Sequence, residues 1–306
     1  MVRLRLDLAY DGGAFYGWAK QPTLRTVQGE LEQALHTILR VPADDPDEPL
    51  RLTVAGRTDT GVHALHQVCH LDVGEATLDR CVGHMGVPAP EALFRRLSRM
   101  VPDDIAIHAV SVAPKGFDAR FSALERTYVY RICDDARPVD PRMRGFVLPL
   151  DDRLDLDAMN AAAAMTIGLH DFGSFATPNP GGTTIREVKR AHWSRIPVSP
   201  LVPGAFGGAG TAGGYTVPAA ESGLVCFTIV ADAFARNMVR SLVNACVKVG
   251  QGRKDLNWFA EKMATPLREG STGPIAPQGL TLEHVAYPAA DQLAARAEAI
   301  RAKRTL

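Results

Sequence analysis

The chain is poor in cysteine. It has five (Cys69, Cys81, Cys133, Cys226, Cys246), an odd number with no Cys-x-x-Cys pair. That argues against a disulfide framework and for a reducing, cytoplasmic setting. No apolar run reaches the ~18 residues of a membrane-spanning helix. The opening stretch Met1-Val2-Arg3-Leu4-Arg5-Leu6-Asp7 alternates charge with apolar side chains and has no signal-peptide core. Net charge is absent as well, because 34 Lys plus Arg balance 34 Asp plus Glu. This argues against a protein whose entire surface grips nucleic acid, but it permits a local basic face. The charge is uneven: 41–50 carries four acids and no base, whereas 236–254 carries Arg236, Arg240, Lys248, Arg253 and Lys254 and no acid.

What is present is ordinary globular material, 46% hydrophobic and 22% charged over 306 residues. A compact chain of this size buries roughly three quarters of its unfolded surface. Period-two alternation predicts strands at 3–9, 52–55, 67–73 and 104–112, with helices from Val27 and over 88–99. Thr26 is the expected N-cap of the first helix, and Val27, Leu31, Leu35, Ile38 and Leu39 form its apolar stripe. The order is β-α-β-β-α-β, a split βαβ unit. A second, similar run follows: strands at 126–133, 186–196, 224–231 and 282–287, and helices at 155–168, 235–250 and 256–264. Leu156, Met159, Ala163 and Ile167 are expected to point inward from 155–168, and Met238, Leu242, Val243 and Cys246 from 235–250. The expected fold class is therefore α+β, with two similar split βαβ-like halves whose mixed or antiparallel sheets join. Their bounds are 1–115 and 116–289. No sequence repeat accompanies the pattern. Segment 197–223, rich in Gly and Pro, is expected as a mobile hairpin insertion, and 290–306 as a helical tail with too few large apolar residues to dock firmly.

The most informative stretch is Val54-Ala55-Gly56-Arg57-Thr58-Asp59-Thr60-Gly61-Val62-His63-Ala64. A strand runs into a short polar loop bounded by two glycines, which permit tight turning or close approach. Arg57 and Asp59 stand two residues apart, and a nearby guanidinium favours the ionised carboxylate that serves as nucleophile or base. An Asx-turn with a surface ion pair satisfies the same pattern. Arg236, Arg240 and Asn244, spaced by four, share one helix face. Tyr128 and Tyr130 share one side of a strand, either stacking on an exposed base or sitting in the core. His63, His66, Cys69 and His70 suggest a metal site, but Cys69 and His70 face opposite sides of one strand and converge poorly on an ion.

The loop Ala55-Gly56-Arg57-Thr58-Asp59-x-Gly61-Val62-His63-Ala64 resembles the signature of the tRNA pseudouridine synthase A family. Four further stretches agree in order: Tyr10-Asp11-Gly12…Gly17-Trp18…Gln21, Thr26-Val27-Gln28-Gly29, Asp118-Ala119-Arg120-Phe121-Ser122-Ala123 with Arg126-x-Tyr128-x-Tyr130, and Phe234…Met238-Val239-Arg240. The resemblance covers about residues 3–288. It implies the pseudouridine synthase fold, with both halves around a central RNA-binding cleft. It implies isomerisation of uridine to pseudouridine at positions 38, 39 and 40 of the tRNA anticodon arm, with no metal and no small-molecule cofactor. Asp59 would be the catalytic nucleophile, Tyr128 the residue stacking on the target base, and Arg57 and Arg240 the arginines beside the carboxylate. The resemblance also implies a homodimer. Basic groups expected to line the cleft are Arg95, Arg96 and Arg99, then Arg186, Lys189, Arg190 and Arg195, and the 236–254 helix. The competing readings are a non-catalytic RNA-binding protein of the same fold and a metal-dependent hydrolase built on the histidines.

Overall fold

The computed structural model describes residues 1–135, 139–177, 182–199, 219–267 and 272–300. Ten strands form one mixed sheet: β1 (Val2–Tyr10), β2 (Thr53–Val54), β3 (His63–Val73), β4 (Ile105–Val112), β5 (Glu125–Cys133), β6 (Leu148–Pro149), β7 (Gly168–Asp171), β8 (Ile185–Arg195), β9 (Val225–Ala231) and β10 (Leu280–Ala286). The helices are α1 (Val27–Leu39), α2 (Glu75–Asp79), α3 (Ala89–Met100), α4 (Leu156–Ala164), α5 (Met238–Gly250), α6 (Leu256–Ala264) and α7 (Leu293–Ile300).

Along the main path the strand order is β4-β1-β3-β10-β5-β9-β8-β7. The last strand in sequence thus lies in the middle of the sheet. β10 runs antiparallel to β5 over six registered residues but parallel to β3 over only two, Thr281 opposite His63 and Leu282 opposite Ala64. Along β1 the alternation is complete: Leu4, Leu6, Leu8 and Tyr10 are buried, while Arg3, Arg5 and Asp7 turn to the other face. There Arg3 forks onto Asp72 and Arg5 onto Asp7.

The first helix follows its sequence signals. Thr26 Oγ1 accepts the Gly29 N–H, and Leu31, Leu35 and Leu39 are fully buried. Each such leucine contributes about 1.5–3 kcal/mol by leaving water. Arg40 ends the helix in the left-handed region. Most buried apolar residues from Leu4 to Leu293 make one continuous core, and Val147, Leu224 and Cys226 form a small second cluster.

Several expectations need correction. The 155–168 helix ends at Ala164, and β7, which the pattern did not reveal, begins at Gly168. Ile167 is accordingly 47% exposed rather than inward. The 235–250 helix starts at Met238 behind Asn237 in the left-handed region, which leaves Arg236 in the preceding loop and off the face of Arg240 and Asn244. β3 starts at His63, four residues earlier than expected. The tail does dock: Leu293 is 3% exposed, and its carbonyl accepts the Ser122 hydroxyl. Of the expected insertion 197–223, only the base is described; Ile196 and Leu224 pair there, and residues 200–218 lie outside the described residues, as do 301–306. No described helix is long and apolar enough to cross a membrane.

Candidate active site

Asp59 stands on the loop between β2 and β3, and that loop is pinned from several sides. Trp18 N–H donates to Thr58 O (3.1 Å), Gly61 N–H to Phe15 O (3.2 Å) and Val62 N–H to Asp59 O (3.1 Å). Side chains complete the clamp. The Tyr10 and Thr58 hydroxyls bond at 2.8 Å, and fully buried Gln67 donates to both Tyr10 Oη (3.2 Å) and Gly56 O (2.9 Å). Burial pushes the Tyr10 phenol up to about 12, so it enters this network as a neutral hydroxyl. Two glycines permit the packing. Gly17 has φ +88° and a Cβ there would lie 2.8 Å from Thr58 O; Gly61 has φ +76° and a Cβ would lie 2.7 Å from the Pro277 ring.

Three distant parts of the chain meet at this loop. Tyr128, on the buried side of β5, feels the Asp59 charge; burial first, then the Tyr10 and Asp59 charges, raise its pKa against the lowering effect of Arg126. Its ring meets Phe234 edge to face at 5.2 Å and is only 7% exposed. Arg240, on α5, is half-buried. Burial lowers its pKa while the Asp59 and Tyr130 charges oppose that shift. Its Nε donates to Ile275 O (2.7 Å), and Ile275 N–H donates back to Arg240 O (3.2 Å). Asn244, one turn on, donates to Gly273 O. The 273–277 segment thus lies along this face of α5, where sequence alone allowed a solvated charged face.

Arg57 is different. It is exposed, and no ion pair joins it to Asp59 among the described residues. The local pairing that the spacing suggests is therefore not made, whereas the Asp59 charge does act on Arg240.

Arg126, two residues before Tyr128, is a further residue of the site. It is 7% exposed and donates to three backbone carbonyls: Asp232 O (2.6 Å), Ala55 O (2.6 Å) and Arg120 O (2.8 Å). It joins the entry of the Asp59 loop to the approach to α5. The signal was available, since alternation along β5 puts Arg126 on the same side as Tyr128, and a buried guanidinium requires acceptors.

The histidines are occupied separately. His63 Nδ1 accepts the Gly12 N–H (2.9 Å), His70 Nδ1 accepts the Ala119 N–H (3.0 Å), and His66 Nε2 contacts Asp7 (2.9 Å). Among the described residues no group of three metal-ligating side chains converges. The expected basic lining is dispersed. Arg195 forks onto Asp134 and Lys189 pairs with Glu125, while Arg95, Arg96 and Arg99 line a different cavity.

Comparison with known proteins concerns the chain as a whole. The family signature described as tRNA pseudouridine synthase matches residues 162–288, which include Arg240. Proteins called tRNA pseudouridine synthase A are similar along the whole chain. That of Bifidobacterium longum (strain NCC 2705) is 72% identical over 306 residues, 100% of both chains. That of Bifidobacterium animalis subsp. lactis (strain AD011) is 68% identical over the same span, again 100% of both. That of Streptomyces griseus is 45% identical over 305 residues, 100% of this chain and 95% of the relative. Superposition on a dye-decolorizing protein from V. cholerae covers 96% of this chain and 95% of that one, with 10% identity and a TM-score of 0.19, too low to bear on the fold. The full-length identities decide the matter: this chain belongs to the tRNA pseudouridine synthase A family.

Proposed function

We propose that the protein isomerises uridine to pseudouridine in the anticodon stem-loop of tRNA, at positions 38, 39 and 40, with Asp59 as the nucleophile. The observation that carries this reading is that the Asp59 charge acts on both Tyr128 and Arg240, although the three come from a loop, a strand and a helix far apart in sequence.

The reaction breaks the N1–C1′ glycosidic bond, turns the uracil and forms C5–C1′; the C5 proton is lost to solvent and N1 takes one up. Asp59 initiates it either by attack on C1′ or by promoting a glycal-like intermediate. The half-buried Arg240 guanidinium lies within reach of the Asp59 charge. Arg57, exposed beside the nucleophile, is suited to contacting the displaced strand or its phosphates. Tyr128 supplies the stacking floor. Its raised pKa keeps the phenol neutral, which suits stacking and hydrogen bonding and disfavours a phenolate base. With the ring only 7% exposed, an incoming base reaches its face by displacing a neighbour, and Phe234 is the aromatic in contact. Extrusion of the base costs a few kcal/mol, least at a stem–loop boundary.

We also read 1–115 and 116–289 as two halves enclosing the RNA cleft, and the working form as a cytoplasmic homodimer. The sheet order supports the division, since β1, β3 and β4 lie on one side of β10 and β5, β7, β8 and β9 on the other.

The test is tritium release from tRNA transcript labelled at uridine C5, comparing the wild-type protein with Asp59→Asn. Release by wild type alone is expected, with tRNA binding and fold retained in the variant. A wild-type protein that binds this tRNA without releasing tritium would favour the binding-only reading. Wild-type activity from Asp59→Asn would remove the nucleophile assignment.

A further inference from the structure

A cavity of about 950 Å³ opens where the C-terminal ends of α1, α2 and α3 converge. Five arginines line it, Arg40, Arg80, Arg95, Arg96 and Arg99, with no carboxylate and no lysine among the lining residues. Part of this charge has a local explanation. Arg40 and Arg80 hold the C-cap positions of α1 and α2, and Arg99 lies in the last turn of α3, at helix ends that each carry a partial negative charge of at most about −0.5. Arg95 pairs with Glu91, and Arg96 donates its Nε to Cys81 O (2.6 Å). Even with all three dipoles and Glu91 subtracted, about +2.5 charges remain. No side-chain hydrogen bond or ion pair among the described residues engages Arg40, Arg80 or Arg99. The helix ends therefore do not account for the whole cluster.

We infer that this cavity is a second RNA-backbone site, which takes phosphates of the bound tRNA remote from the base at Asp59. The choice of arginine over lysine fits, because a guanidinium forks onto phosphate oxygens in a fixed plane. The location fits a polymer. α1 begins beside the catalytic loop, where Gln28 N–H donates to Trp18 O and Trp18 N–H to Thr58 O, and it ends at the cavity. Thirteen residues of helix span about 20 Å, so no single nucleotide occupies both places.

This inference rests on tRNA as the substrate, and its test separates the two. The triple variant Arg40→Gln/Arg80→Gln/Arg99→Gln and its all-Lys counterpart are titrated with full-length tRNA transcript at several salt concentrations. Arg95 and Arg96 keep their intramolecular partners. The glutamine triple should bind tenfold or more weakly at low salt, and its log K against log salt slope should be shallower by about 2–3. The lysine triple should keep most of the slope, and single-turnover tritium release at saturating enzyme should match wild type in both. Unchanged affinity and slope in the glutamine triple would overturn the inference. So would equal losses in both triples with a lowered melting temperature, which would assign the arginines to the helix ends alone. If wild type binds tRNA with a slope that depends on this cavity yet releases no tritium, the inference stands and the isomerase reading fails.

Discussion

Arg126 contributes to stability through bonds that most substitutions cannot reproduce. Replacing it with methionine keeps bulk but strips donors from Ala55 O, Asp232 O and Arg120 O. Each buried acceptor left unsatisfied costs about 1–3 kcal/mol, so Arg126→Met should lower unfolding free energy by on the order of 3 kcal/mol or more. Lysine should not rescue it, because one ammonium lacks the fork geometry needed for carbonyls on three segments. Denaturant midpoints at constant slope check both variants, and a loss under 1 kcal/mol would show that water replaces the guanidinium. Tyr128 makes a contrasting case. Tyr128→Phe should keep most of the single-turnover rate, since stacking survives, whereas Tyr128→Ala should lose at least tenfold more. Equal near-wild-type rates would take Tyr128 out of the site. The Asp59 loop was legible because its glycines, charged pair and flanking strand are adjacent in sequence. The failure of Arg57 to pair with Asp59 was not legible, since side-chain direction depends on what the loop packs against. Here that includes Trp18 and Pro277, both distant in sequence.

β3 carries two histidines whose burial disfavours the charged form. His70 Nδ1 accepts the Ala119 N–H, a role that protonation abolishes, whereas His63 Nδ1 lies between the Gly12 N–H (2.9 Å) and Asp11 Oδ1 (3.0 Å). Burial lowers the pKa of each, against the Asp11 charge at His63 and alongside the Arg3 charge at His70. The unfolded chain takes up these protons near pH 6.5 and the native strand resists. The unfolded state therefore binds more protons as pH falls, and stability should decline from about pH 6.5 downward. Urea melts at pH 7.5, 6 and 5 should show that decline, and His70→Asn should flatten it by keeping an acceptor that does not titrate. A pH-independent midpoint across this range would mean the histidines charge in place. Element by element, much was readable: α1 starts behind its expected cap and apolar stripe, and α6 and β9 fall within a residue of the expected 256–264 and 224–231. The weaker signals failed for physical reasons. Residues 161–164 are all alanine, which packs without marking a helix end, and the left-handed Asn237 sets the start of α5 from backbone geometry rather than from side-chain pattern.

No periodicity reports which strands become neighbours, and the central position of β10 was accordingly invisible. It joins β3 and β5 through pairings that span most of the chain. Deleting residues 279–306 should therefore abolish folding rather than trim it, and the product should lack cooperative unfolding by circular dichroism. Deleting only 301–306 should leave a cooperative transition with a melting temperature within a few degrees of wild type. A folded, cooperative 1–278 fragment would show that the rest of the sheet stands alone. There is a further consequence during synthesis. A growing chain emerging from the ribosome displays Asp59 and Tyr128 long before the strand that sets β3 against β5 exists. Contacts this distant in sequence also form slowly. Chemical competence thus arrives late and nearly at once, when residues 280–286 clear the exit tunnel. A message broken upstream of that point yields a polypeptide that carries the carboxylate but no assembled site, and such a fragment is work for proteases rather than a rogue RNA isomerase.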